Sequence, residues 1–383
     1  MNKLSALIVL TLLCWGGFVQ AQTNDEQIQE QAKQYQQLAI SSLLNHELTA
    51  AAMYTESRAA LDTTNVEWQY DAGVFFQEKL NDYQTAMNYY YRAIKQAKQQ
   101  YGDTSQWVAK IHEGYGDNYF GWDNYVWGGL RYADALQYYH HACDTWKLVE
   151  GENTLHVAEC YNKMGKACSL LDNENAMTYF QEAKRIADAL PQPNLLLSSQ
   201  ILDNIGLEYM KNEDWKTALD YFNQEHDIVF DKKSGAFIDS QQAVACQLNL
   251  ANVQEKLGND TSSYLFSALS IQKETLGNDD LNVADTYLLL GQYYKRHSDL
   301  DKALIQYQKA VDIFTDKLGE YCIENQTCYT GMASIYYSKK QYSEALGLLE
   351  KSLLLEERFY GKDRLYGQIE GLIEQLKTEM KAN

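Results

Sequence analysis

Between Leu281 and Gly319 the apolar positions fall into two runs of helical spacing with a polar break between them. Val283, Tyr287, Leu290, Gly291 and Tyr294 recur at steps of three and four. After His297-Ser298-Asp299, Ala303, Tyr307, Ala310 and Ile313 do the same. Each run lays one apolar stripe along a helix, so the stretch predicts two antiparallel amphipathic helices. Gly291, Ala303 and Ala310 are small enough to let the two backbones approach. Tyr294 and Tyr307 are large enough to fill the remaining space, the alternation that a packed helical hairpin needs.

The unit repeats along the chain. Glycines suited to a left-handed cap at the end of a second helix fall at Gly102, Gly151, Gly235, Gly277, Gly319 and Gly361, and the last three intervals are each 42 residues. The missing beat, 42 residues beyond Gly151, lands on Pro193, another helix terminator. Ala86, Ala135, Ala176, Ala218, Ala303 and Ala345 keep the same step inside the second helices, and residues 248–272 fill the slot that lacks the alanine. Seven hairpins over residues 65–361 follow. Residues 22–64 read as an irregular helical hairpin capping the open end. Residues 362–383 close the other end with one helix, whose Lys377, Glu379 and Lys381 shield the last repeat. A repeat array is one continuous core, and no Ser/Gly-rich tract interrupts it, so one domain is expected.

The small-large pattern Leu290, Gly291, Tyr294, Ala303, Tyr307, Ala310 resembles that of the tetratricopeptide repeat. It returns as Met332, Ala333, Tyr336, Ala345, Leu349, Ser352 and as Ile205, Gly206, Tyr209, Ala218, Phe222. The 42-residue period, with phrases such as ETLGNDDLNVADTYLLLG, is similar to the longer repeats of kinesin light chains and their bacterial relatives. The resemblance implies an all-α fold, a right-handed α-α superhelix whose first helices line a concave face. It implies protein or extended-peptide binding there by a scaffold that is not an enzyme. Carried over by position, the groove receives Glu159, Asn162 and Lys166 from repeat three, Gln200, Asp203 and Met210 from repeat four, and Asn252 and Glu255 from repeat five. Repeat six adds Asp285, Gln292, Lys295 and Arg296, and repeat seven adds Thr330, Ser334 and Tyr337. Asn162 and Asn252 are the expected backbone clamps.

The second repeat is seven residues longer than its period. The excess lies between Tyr119 and Tyr132 and reads as an inserted loop, GWDNYVWGG. Trp122, Tyr125 and Trp127 are costly to leave in water, since a large aromatic buries about 150 Å² or more when packed. Either the loop folds back and repairs the stack, or it presents an aromatic anchor to a partner or a sugar ring. Glycan binding through this loop is the alternative function.

At the N-terminus, Lys3, the apolar run Leu4 to Trp15 and Val19-Gln20-Ala21 read as a secretory signal cleaved after Ala21, too short for a spanning helix. Leu13 before Cys14 is not small, which favours export to the periplasm or medium over lipidation. The sequence carries 52 acidic against 33 basic residues, a formal charge of −19. That field disfavours nucleic acid and anionic headgroups. Walker, HExxH, EF-hand and GxSxG motifs are absent, so no cofactor is expected. His140, His141 and Cys143 stand close in sequence, but adjacent helical residues point about 100° apart, and no metal site is expected. Six cysteines remain after cleavage. Cys143 with Cys160, or Cys322 with Cys328, are candidate disulfides, and single buried thiols are the other reading.

Overall fold

The computed structural model describes residues 25–126, 130–231, 236–362 and 364–382. Residues 1–24, with the expected signal and its cleavage point after Ala21, lie outside the described residues. The fold is all-α, a helical solenoid of stacked hairpins. Helix α1 (residues 25–44) pairs with α2 (Leu48–Leu61). Seven hairpins follow: α3 (Val66–Leu80) with α4 (Tyr83–Tyr101), α5 (Gln106–Val126) with α6 (Leu130–Glu150), α7 (Leu155–Leu170) with α8 (Ala176–Asp188), and α9 (Leu195–Lys211) with α10 (Trp215–Val229). The series continues with α11 (Ser240–Lys256) and α12 (Ser262–Leu276), α13 (Leu281–Arg296) and α14 (Leu300–Leu318), and α15 (Asn325–Ser338) and α16 (Tyr342–Phe359). A single helix, α17 (Arg364–Ala382), packs on α16. Among the described residues the β structure is one antiparallel bridge, Phe230 with Phe237. No helix among them is long and apolar enough to cross a membrane.

Where the repeat leads one to expect an uninterrupted array, the chain divides into two compact units, one ending at Asn194 and the other beginning at Leu195. The division follows α8, 13 residues long, and the prolines Pro191 and Pro193 that prevent its continuation.

In five of the seven hairpins a small residue packs against a large ring. Tyr90, Tyr139, Phe180, Phe222 and Tyr307 are fully buried. Each lies over a glycine of the hairpin's first helix. A Cβ added at Gly73, Gly116, Gly165, Gly206 or Gly291 would come within 2.6, 2.4, 2.4, 2.6 or 2.7 Å of the ring. Those glycines are therefore required by close approach rather than by backbone conformation.

The turns inside the hairpins use a second device. Ser298 takes φ 60°, and the next residue, Asp299, donates its N–H to the Tyr294 carbonyl at 2.9 Å, closing α13 as a Schellman turn. The Asp299 side chain then accepts from the Lys302 N–H and starts α14. Glu213 and Asp214 repeat the arrangement between α9 and α10. The glycines that end the second helices do take positive φ, but ψ is 170° at Gly102, 169° at Gly277 and 167° at Gly319. That is an extended conformation open essentially to glycine alone, rather than the left-handed cap expected from spacing. Gly235 lies outside the described residues.

The second repeat also differs from expectation. Its additional residues do not form a loop up to Tyr132. Helix α5 continues through Gly121 and Trp122 to Val126 and α6 begins at Leu130, so both helices reach 21 residues. Added turns let the aromatic positions keep packing against the preceding hairpin. Trp122 stacks on Tyr83 of α4, with ring centroids 6.3 Å apart, and the Arg131 guanidinium sits 3.6 Å over its ring. The side chain of Tyr125 and the whole of Trp127 lie outside the described residues.

Candidate functional site

First helices of successive hairpins lie beside each other, α3 with α5, α9 with α11 and α13 with α15, and the candidate residues are carried on these first helices. On each helix the residue three before the packing glycine or alanine and the residue just after it point along one face, as the 3.6-residue turn requires.

In the N-terminal unit this rule selects Tyr70 on α3, Glu113 and Asp117 on α5, and Asn162 and Lys166 on α7. Of these, the two carboxylates converge on one ammonium, that of Lys163 on α7. Lys163 Nζ lies 2.9 Å from Asp117 Oδ2 and 3.4 Å from Glu113 Oε1. The Trp146 indole N–H donates to Glu113 Oε2 at 3.0 Å and the Tyr139 hydroxyl to Asp117 Oδ1 at 2.9 Å. The Cys160 thiol reaches Glu113 Oε1 at 3.7 Å. Glu113 is nearly buried, while Asp117 and Lys163 keep about a third of their side chains open, at 35% and 31%. Burial would lower the Lys163 pKa, but the carboxylates of Asp117 and Glu113 outweigh it and hold the ammonium well above its usual range. Burial, reinforced by the Glu113 charge, pushes the Glu159 carboxyl up. Burial, with Glu113 and Asp117 adding to it, takes the Tyr70 phenol to about 12.

Replacing Lys163 with Met keeps the stem and removes the charge that holds two carboxylates together. The variant is expected to lose about 2–3 kcal/mol at pH 7. Urea unfolding of both proteins at pH 7 measures this, and a loss below about 0.5 kcal/mol would show that the ammonium adds no net stability there.

Among the expected groove residues of this unit, Asn162 is 6% exposed and engaged within the protein, and Lys166 is exposed with its ammonium 5.5 Å over the Phe120 ring. Glu113, Asp117 and Lys163 escaped the sequence reading. The two glycines of α5, Gly114 and Gly116, leave its register ambiguous, and the distance from Gly116 to Tyr139 is stretched by the seven extra residues. Gly114 in fact meets Tyr90 of the preceding repeat and Gly116 meets Tyr139 of its own.

In the C-terminal unit several positions are consumed by neighbours. Asp203 accepts from Asn249 Nδ2 at 2.6 Å, and Arg296 pairs with Glu255 at 2.5 Å. Ser334 Oγ donates to its own helix at Gly331, and the Tyr337 hydroxyl donates to Glu379 of α17 at 2.8 Å. With Thr330, Ser334 and Tyr337 line a cleft of about 220 Å³ closed by Leu372, Gln375 and Leu376 of α17. Asn252, Gln292 and Lys295 behave differently. Asn252 is exposed, Gln292 and Lys295 are half-buried, and among the described residues none of the three has a side-chain hydrogen bond or ion pair. Burial lowers the Lys295 pKa.

Other candidates separate in space. His140 Nε2 lies 3.3 Å from the Tyr179 hydroxyl, whereas His141 faces His112, ring centroids 5.5 Å apart. Among the described residues no group of three or more His, Cys, Asp or Glu side chains is placed to hold a metal. Cys143, Cys160, Cys168, Cys246, Cys322 and Cys328 are buried free thiols.

A tetratricopeptide-repeat profile matches residues 240–316, and a second matches 326–363. Over those residues the chain carries tetratricopeptide repeats. It is 24% identical over 172 residues to the RxLR effector protein SFI4 of Phytophthora infestans (strain T30-4), a match over 44% of this chain and 49% of that protein. The match thus spans about half the length of that curated relative. The tetratricopeptide fold is shared with the apo form of the quorum sensor NprR from B. thuringiensis, at TM-score 0.61 and 13% identity, covering 92% of this chain and 96% of that one. It is shared as well with BtubC (BKLC) from P. vanneervenii, at TM-score 0.53 and 16% identity, covering 62% and 94%.

Proposed function

We propose that this protein is an exported, non-catalytic scaffold that binds an extended segment of another protein along the first-helix face of its C-terminal unit. Asn252, Gln292 and Lys295 carry the reading. They come from adjacent repeats, their side-chain donors and acceptors are unspent within the protein, and packed hairpins hold them before any partner arrives. An amide and an ammonium offer what a peptide backbone and its carboxylates need, while pre-ordering lowers the entropy cost of association. Tetratricopeptide repeats are interaction scaffolds, which supports the general class. Export rests on the charged, apolar and small-residue pattern of residues 1–21.

The test is capture from the envelope fraction of the exporting cell with mature protein, beside a variant carrying Asn252→Ala, Gln292→Ala and Lys295→Ala. Retention of a protein by the first and at least a tenfold loss by the second, about 1.4 kcal/mol or more, is the expected result, with both melting alike. Equal retention by the two would remove this face as the working surface.

A further inference from the structure

We propose that the cleft between α15 and α17 takes one bulky apolar side chain, of leucine to phenylalanine size, from the extended segment bound along the first helices. The inference rests on that binding reading and names the residue type the segment carries at this end. Helix α17 has the inward register of a first helix. Its buried Tyr366, Ile369, Ile373 and Leu376 each stand 41 residues after a buried residue of α15, respectively Asn325, Cys328, Met332 and Ile335. The cleft therefore belongs to the row of first helices, one step beyond α13, which lies beside α15. Ser334 and Tyr337, on its α15 side, each follow Gln292 and Lys295 of α13 by 42 residues. A segment laid across Gln292 and Lys295 and continuing in that direction meets the cleft next.

The cleft is apolar in depth. Ala333, Leu349 and Leu376 form its floor and are 2%, 8% and 1% exposed, while Leu372 stands on one wall at 52%. The polar groups at its edge are spent. Thr330 and Ser334 donate their hydroxyl hydrogens to carbonyls of their own helix, at 3.0 and 2.8 Å. The Tyr337 hydroxyl and the Gln375 amide both donate to Glu379 Oε1, at 2.8 and 3.0 Å.

A carboxylate or amide entering the cleft would give up water and find no hydroxyl ready to donate to it, which costs free energy. An apolar side chain pays no such penalty and covers the exposed Leu372. Size sets the other limit. The volume is about 220 Å³, and an apolar cavity of about 150 Å³ already holds a benzene-sized group. There is room for one large side chain.

The experiment titrates the full chain, carrying isotope-labelled leucine methyl groups, with N-acetylphenylalanine amide and, separately, with N-acetylasparagine amide. The first is expected to shift the Leu349 and Leu376 signals saturably and to bind about fivefold or more tightly than the second. Leu372→Gln removes the wall and Ser334→Trp fills the cleft, both at exposed positions. Both variants should melt like the parent and weaken the phenylalanine amide about fivefold or more. Leu372→Gln should also lower retention in the capture experiment by a similar factor, whereas the variant carrying Asn252→Ala, Gln292→Ala and Lys295→Ala should bind the amide as the parent does. No saturable shift in the parent, equal binding of the two amides, or undiminished binding by both cleft variants would overturn the cleft as an apolar site. Amide binding with parental retention by Leu372→Gln would overturn its place in the segment's path. Equal capture by the parent and the triple variant, with amide binding intact, would instead remove the reading built on Asn252, Gln292 and Lys295, so the two failures are distinguishable.

Discussion

Gly165→Ala is expected to destabilise the N-terminal unit by about 3 kcal/mol, near the upper end of the usual cost of overpacking. The new methyl would lie 2.4 Å from Cε1 and 2.5 Å from Cδ1 of Phe180. Neither side can yield cheaply. Phe180 is 1% exposed, and Gly165 sits mid-helix among Met164, Ala167 and Cys168, all buried. Relief requires α7 and α8 to separate, which opens the core between them. The same substitution at Gly347 supplies the control. It too lies inside a helix, α16, but a Cβ there meets nothing within 4 Å. Helix propensity alone then favours alanine, and Gly347→Ala should stabilise by about 0.5–1 kcal/mol. Urea unfolding of the two variants beside the parent should give shifts of opposite sign. A loss below about 0.5 kcal/mol at Gly165 would mean that the hairpins have slack and that the small-large rule does not hold them closed.

That rule is also where the sequence was most informative. Gly291 opposite Tyr307 and Gly206 opposite Phe222 can be read from spacing alone, because a hairpin needs a small residue wherever a large one crosses. With the period known, the helices and their order follow. What spacing could not supply was the fate of positions that departed from it. GWDNYVWGG reads as a loop because it exceeds the repeat, yet extra residues can equally extend two helices, and Trp122 stacks on Tyr83 and under Arg131 in consequence. Register failed in the same repeat, where Gly114 and Gly116 both meet aromatic rings, and the Glu113, Asp117 and Lys163 cluster was hidden with it. Elsewhere, position on a first helix was legible and availability was not. Asn162, Asp203 and Tyr337 lie on first helices, but pairing with a neighbour depends on side chains from other helices. Asn249 and Glu379, the partners of Asp203 and Tyr337, are respectively 46 and 42 residues away.

Glu225 should dominate the pH dependence of the C-terminal unit. It is fully buried on α10, where the Gln242 amide of α11 donates to Oε1 at 2.6 Å and Oε2 has no partner. Burial first, then the Asp203 charge on α9, lift its pKa to about 8, against hydrogen bonds from Gln242 and Cys246 that favour the anion. The folded chain therefore holds this proton between about pH 4.5 and 8, whereas the unfolded chain, with an ordinary carboxyl, has released it. More protons bound in the native state means stability that falls as pH rises, by about 1.4 kcal/mol per unit at most. Stability from this group is complete below about pH 4.5, declines through the window and levels above about pH 8, for a total of about 5 kcal/mol. Glu225→Gln keeps the shape and the contact from Gln242 but carries no titrating proton. It should match the parent near pH 4.5 and exceed it by about 5 kcal/mol at pH 9, read from urea unfolding across the range. Asp203→Asn should narrow the window from above, since it removes the second cause and leaves burial. Parallel stability curves for the parent and Glu225→Gln would show that the carboxyl ionises in place, and that water or movement of α10 reaches a site closed in the folded hairpin.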